Sequence, residues 1–194
     1  MPAVDAKQID GQTLIEQVRE LPGGEELLRL ACERQDVELV GGAARDLLLG
    51  ATPRELDVVA DGEAEGLARE LAKMIDESRF AAGDSAGGAV EAHERFGTAS
   101  VSWPGGRIDV ATRRAESYAS PGALPDVRPG TAEEDLRRRD FTVNAIAVGL
   151  GGARRGELRA TPTALEDLAA RRLRVLHERS FRDDPTRLLR LARY

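Results

Sequence analysis

The sequence holds one cysteine, Cys32, and only two histidines, His93 and His177, far apart in the chain. A lone thiol cannot close an internal disulfide, and two separated imidazoles without a cysteine cluster exclude a zinc site of nitrogen and sulfur ligands. Any metal must therefore be held by carboxylates. Long apolar runs are also missing, against the roughly 20 residues needed to span a bilayer, and the N-terminus lacks the apolar stretch of a signal peptide. No membrane partner is expected, and the default location is cytoplasmic. Internal repeats, a low-complexity tail, a GxGxxG dinucleotide fingerprint and a lysine-bearing P-loop are absent as well.

What is present is an ordinary globular composition, 194 residues with 41% hydrophobic and 32% charged, enough for one core and the start of a second. The net charge of −6 conceals an asymmetry. Residues 137–194 carry 14 arginines against 7 acids, a net of +7, which leaves −13 for residues 1–136. An acidic part suits a metal site and a basic part suits phosphate, although solvated helix faces would look the same.

Two helical stretches open the chain, Thr13–Glu20 and Glu25–Gln35, broken by Pro22-Gly23-Gly24. Val37–Val40 reads as a buried strand, Gly41–Gly50 as a glycine-led turn and helix, and Glu55–Ala60 as another strand, with a helix carrying Leu67, Leu71, Met74 and Ile75 after it. Residues 81–89 read as a small-residue loop. Phe96–Trp103 and Arg107–Thr112 form an expected hairpin through Pro104-Gly105-Gly106, so the sheet should be mixed. Residues 113–130 are expected to be a mobile loop. Helix resumes near Thr131 and again from Thr163, broken at Asp183-Asp184-Pro185, where Asp184 suits an N-cap and Pro185 a first helical residue. Leu188, Leu189 and Leu191 on the final helix lack a following partner in sequence, which suggests a chain cut short.

Glu55 and Asp57 lie two apart in a strand, so both side chains share a face while Leu56 and Val58 take the other. Two converging carboxylates repel unless a cation neutralises them, and oxygen-only ligands favour Mg²⁺ or Mn²⁺. Asp109 offers a third by the same alternation, between Ile108 and Val110. Three acids on two strands suit a pair of ions, although a strand with two acids also fits a simple exposed pair. Gly41 and Gly42 follow a strand and open a helix bearing Arg45 and Asp46. Free backbone N–H groups at a helix start bind phosphate, and glycine permits close approach. A tight strand-to-helix turn would need the same glycines.

Five motifs in fixed order complete the pattern: VGGAARDLLLG, then RELDVV, then RFGTASV with RIDVATRRAESY, then EEDLRRRDFTVNAIA, and then DDPTRLLRLARY. Over Val37–Tyr194 they resemble the bacterial class (class II) of tRNA nucleotidyltransferases, or CCA-adding enzymes, and poly(A) polymerases. The resemblance implies a polymerase-β-like α/β head with a mixed sheet over residues 1–150, then the start of a helical neck over 151–194. It implies two Mg²⁺ ions on Glu55, Asp57 and Asp109, and nucleotide triphosphate contacts from Gly41, Gly42, Arg45 and Asp46. Ribose selection would fall to Arg138, Arg139 and Asp140, and base recognition to Asp184 and Arg187, with Arg190 and then Arg193 continuing the spacing. The implied substrates are ATP, CTP and a tRNA or other RNA 3′ end. CCA, CC-only, A-only and poly(A) addition stay open as products, and so does a non-catalytic nucleotide- or RNA-binding module. The family usually has Asp at Glu55, Glu at Asp183 and a glycine-containing segment where Ala160 and Ala164 stand.

Overall fold

The computed structural model describes residues 10–84, 87–93, 97–192 and 194. Helix α1 (Gly11–Arg19) is capped by Asp10, whose carboxylate accepts the Gln12 N–H, and it buries Leu14, Ile15 and Val18 on one face. Gly23, left-handed at φ 75°, turns the chain into α2 (Gly24–Ala31), which buries Leu27, Leu28 and Ala31. The short strand β1 (Glu38–Val40) runs directly into α3 (Gly41–Leu48), and β2 (Leu56–Ala60) leads to α4 (Ala64–Ala81). Leu67, Ala68, Leu71, Ala72 and Ile75 form the buried stripe of α4, with the spacing a 3.6-residue helix requires. Among the described residues no helix is long and apolar enough to cross a membrane.

Strands β3 (Ala89–His93), β4 (Thr98–Trp103), β5 (Gly106–Thr112), β8 (Ile146–Gly149) and β9 (Leu158–Ala160) join β1 and β2 in a seven-stranded sheet ordered β3-β4-β5-β2-β1-β8-β9. Only β2 and β5 pair in parallel; the other neighbours are antiparallel, so the sheet is mixed as expected. Alternation divides its two faces. Leu39, Leu56, Val58, Ile108, Val110, Ile146 and Val148 enter the large core with α1–α4. On the opposite face Val40, Val59 and Ala147 meet Leu136 of α5 (Ala132–Arg137) in a small cluster, and the positions between them carry polar side chains. That second face is where the chemistry gathers.

Three sequence expectations need correction. β3 emerges directly after the small-residue loop, because its backbone pairs with β4 although its side chains are mostly exposed. Residues 113–130 are not a featureless loop. β6 (Arg114–Ser117) and β7 (Asp126–Pro129) form a separate hairpin held by its ladder and ion pairs, which leaves no apolar period to read. The helical pattern from Thr163 is interrupted: α6 (Ala164–Ala169) ends at Arg171, left-handed at φ 50°, and Val175 then bridges to Phe141 before α7 (Ser180–Asp183) and α8 (Thr186–Leu191). Beyond residue 150, β9 pairs with β8 through Ala160.

Candidate active site

The parallel register of β2 and β5 sets Asp57 directly beside Asp109, and Glu55 lies just before β2. Carboxylate oxygens of all three come within 4.8 Å of one another. Burial, the nearby Glu55 and Asp109 charges, and only partial compensation by Arg139 and Arg45 push the Asp57 carboxyl up to about 6. A group so placed favours a proton or a metal ion. The three residues are all oxygen donors, half-exposed or exposed toward one opening, and fit a hard divalent cation.

Gly41 and Gly42 roof this cluster. A Cβ on Gly41 would stand 2.9 Å from Arg139 Nη1 and 3.7 Å from Asp57 Oδ2, and one on Gly42 3.8 Å from the same oxygen. Gly41 is also left-handed, at φ 66°, where an L side chain is strained. The first turn of α3 has no side-chain cap, and a helix start of this kind leaves backbone N–H groups without intrahelical partners. Gly41→Ala is expected to cost about 1–2 kcal/mol of stability from backbone strain alone. The added methyl group would also displace Arg139 from the acid cluster; thermal melting checks the stability cost.

Every described residue that the sequence nominated lines one open cleft of about 1200 Å³. Arg45 is braced by Asp46 (Nε to Oδ1, 2.8 Å) and by Asn144 (Nη1 to Oδ1, 2.8 Å). Arg138 and Arg139 both donate to Asp135 of α5, whose carboxyl burial pushes up but which the two arginines hold below the usual range. Asp140 is buried, accepts from the Phe141 N–H and from Asn144 Nδ2, and pairs with Arg190 at 3.2 Å. Asp184 accepts the Thr186 N–H at 2.9 Å just ahead of α8, whose N-cap is Pro185 and not the expected Asp184, and its other oxygen lies 3.6 Å from Arg187 Nε. Arg187 is only 3% exposed, with Nη1 bound to Ser180 and Nη2 to the Arg138 carbonyl. It ties α8 to the segment that follows α5. Arg193 lies outside the described residues.

Sequence reasoning passed over several residues that build this site. Asn144 links Arg45, Asp140 and the Tyr194 hydroxyl, and the Tyr194 ring lies 5.1 Å from the Arg45 guanidinium. Asn144 stood inside the RRDFTVNA block, so a signal existed. Glu116 on β6 receives Arg114, Arg138 and Tyr118, and Ser100 and Arg107 both bond Asp109. Arg138 to Glu116 and Ser100 to Asp109 join separate segments that no local spacing announces, whereas Arg107–Asp109, Arg114–Glu116 and Tyr118–Glu116 are pairs two residues apart whose shared strand face was open to sequence reasoning.

Residues 37–174 match the family model for the poly A polymerase head domain. The chain belongs to this poly(A) polymerase head family. Within it, the chain is 41% identical over 164 residues to an A-adding tRNA nucleotidyltransferase of Halalkalibacterium halodurans, covering 83% of this chain and 35% of that protein. It is 40% identical over 169 residues to a CC-adding tRNA nucleotidyltransferase of Deinococcus radiodurans, covering 87% and 42%. Among solved structures, a Thermotoga maritima CCA-adding enzyme complexed with tRNA superposes with a TM-score of 0.69 at 34% identity, over 95% of this chain and 40% of that one. A complex of a CCA-adding enzyme with CTP gives 0.70 at 34% identity, with the same coverage. The chain thus spans less than half the length of these relatives. The resemblance carried by the sequence motifs and the expected α/β head both hold.

Proposed function

We propose that this chain is the catalytic head of a template-independent RNA nucleotidyltransferase that adds CMP or AMP, from CTP or ATP, to a tRNA 3′ end. The observation that carries the reading is the meeting of Glu55, Asp57 and Asp109 within 4.8 Å under the glycine-led start of α3. The RNA 3′-hydroxyl attacks the α-phosphorus, the bond to the β-phosphate oxygen breaks, and pyrophosphate leaves. The three carboxylates would hold two Mg²⁺ ions, with Mn²⁺ as a substitute; when bound, the ions lower the pKa of the attacking hydroxyl and neutralise charge on the leaving group.

The chain's own residues position the reactants. Gly41, Gly42 and the first N–H groups of α3 receive phosphate oxygens, with Arg45 and Asp46 beside them. Arg138, Arg139 and Asp140 meet the ribose, whose 2′-hydroxyl both donates and accepts. Asp184, Arg187 and Arg190 face the base edge, in place of a nucleic-acid template. The helical part from Ala164 onward begins the neck.

A second reading concerns the product. The relatives at 40–41% identity are named A-adding or CC-adding, whereas those named for CCA stand at 37%, as a multifunctional CCA protein, and at 30%, as a CCA-adding enzyme. That ranking favours partial addition. Incubating the protein with Mg²⁺ and tRNAs ending before CCA or after CC, with CTP, ATP or both, and sequencing the products, separates the cases. Nucleotide retained in the cleft with no RNA extended would replace the proposal with a binding module.

A further inference from the structure

Arg107 precedes Asp109 by two positions on β5, so the two side chains share the site face of the sheet. Its Nε lies 2.9 Å and 3.1 Å from the two Asp109 oxygens and 3.9 Å from Glu55 Oε2. Its Nη2 donates to Ser100 Oγ at 3.0 Å, and that hydroxyl donates in turn to Asp109 Oδ1. Asp57 receives no hydrogen bond among the described residues. One delocalised positive charge therefore stands at the acid cluster, on the side of Asp109 and Glu55.

We propose that Arg107 is a built-in counter-ion of the acidic triad which a divalent cation must displace, so that this residue sets metal affinity; the inference rests on the reading of the triad as a metal site. Two physical effects oppose simultaneous occupancy. A carboxylate offers about four lone-pair positions, and Arg107 with Ser100 takes up those on Oδ1 and one on Oδ2. A guanidinium within ion-pair distance also repels an incoming cation, moderated by solvent at a half-exposed position. Release is easy for Arg107, because its side chain is 49% exposed and its other partner is a single hydroxyl. Ser100, 8% exposed, stays in place and keeps Asp109 oriented after the arginine leaves. The division is between Ser100, which orients the ligand, and Arg107, which neutralises it until metal arrives.

Mn²⁺ binding, read from the loss of the free-ion paramagnetic resonance signal at low ionic strength, tests this without any turnover. Arg107→Met keeps an apolar stem on the exposed strand position and removes the charge. It is expected to bind Mn²⁺ on the order of tenfold more tightly than the unaltered protein, with the gap narrowing as salt rises. Arg137→Met removes an equal charge outside the cleft and should change nothing. Unchanged or weaker binding in Arg107→Met, or equal tightening in Arg137→Met, overturns the inference while leaving the metal site standing. If neither the unaltered protein nor Arg107→Met binds more Mn²⁺ than Asp57→Asn, the metal-site reading fails with it.

Discussion

Asp57→Asn is expected to abolish the proposed nucleotide addition, by at least about a thousandfold, and to leave the protein folded. A metal-held transition state is stabilised by several kcal/mol, and each 1.36 kcal/mol is tenfold in rate. Asparagine has the shape of the aspartate but loses the charge that a cation needs. Its effect on stability runs the other way. In the metal-free protein the Asp57 carboxyl sits at about 6 against an ordinary 3.8, pushed there by burial and by Glu55 and Asp109. A carboxyl raised on folding contributes stability that is complete below 3.8 and is lost as pH rises through about 6. At neutral pH the substituted protein should therefore melt no lower than the unaltered one, and its melting should lose that share of the pH dependence. Divalent ions should raise the melting temperature of the unaltered protein above pH 6, less so below it as protons compete, and not raise that of Asp57→Asn. A variant that keeps its activity, or that melts far below the parent, would remove Asp57 from the proposed role.

Arg113→Ala should be the most damaging change outside the cleft. Arg113 is 4% exposed where β5 passes into β6, and its guanidinium reaches Glu38 Oε2 at 2.8 Å, Asp61 Oδ1 at 2.7 Å and the Asp36 carbonyl. Glu38 is 3% exposed and keeps only Arg159 once Arg113 is removed. Breaking a buried pair strands a charge and costs about 3–5 kcal/mol, which for a chain of this size lowers the melting temperature by roughly 10 °C. The paired replacement Glu38→Leu with Arg113→Met removes both charges at similar volume and should recover most of the loss. Equal melting temperatures for the single and double variants would show that the ion pair is not what the site depends on. Because Arg113 leads into the hairpin that presents Glu116 to Arg138, the single variant should also weaken nucleotide binding.

Much of the site was legible in order of sequence. Gly41-Gly42, the Glu55/Asp57 pair and Asp109 each carry a local sign, a strand-to-helix break, a two-residue repeat and an alternation around Ile108 and Val110, whereas the RRDFTVNA block was singled out by the family resemblance. Strand periodicity alone was enough to put Asp57 and Asp109 on the polar face, and the structure places them there. The β6–β7 hairpin was not legible, since its strands are held by ladder bonds and by Arg114, Glu116 and Arg138 rather than by an apolar stripe. Nor was the break after α6, where one left-handed arginine ends the helix.

Local pattern thus sufficed for β1, β2, β4, β5 and the helices α1–α4, for the oxygen-only character of the candidate metal site and for the separation of acidic from basic chain. Which acids touch, and what neutralises them, waited on the fold. The lack of cysteine and histidine ligands said only that carboxylates must serve. The parallel register of β2 with β5 made three acids into one cluster, and the same sheet face brought Arg107 and Ser100 onto Asp109. Periodicity assigns a side chain to a face, but the distance between two charges depends on which strands become neighbours and in what register, and those are settled by packing across the whole sheet.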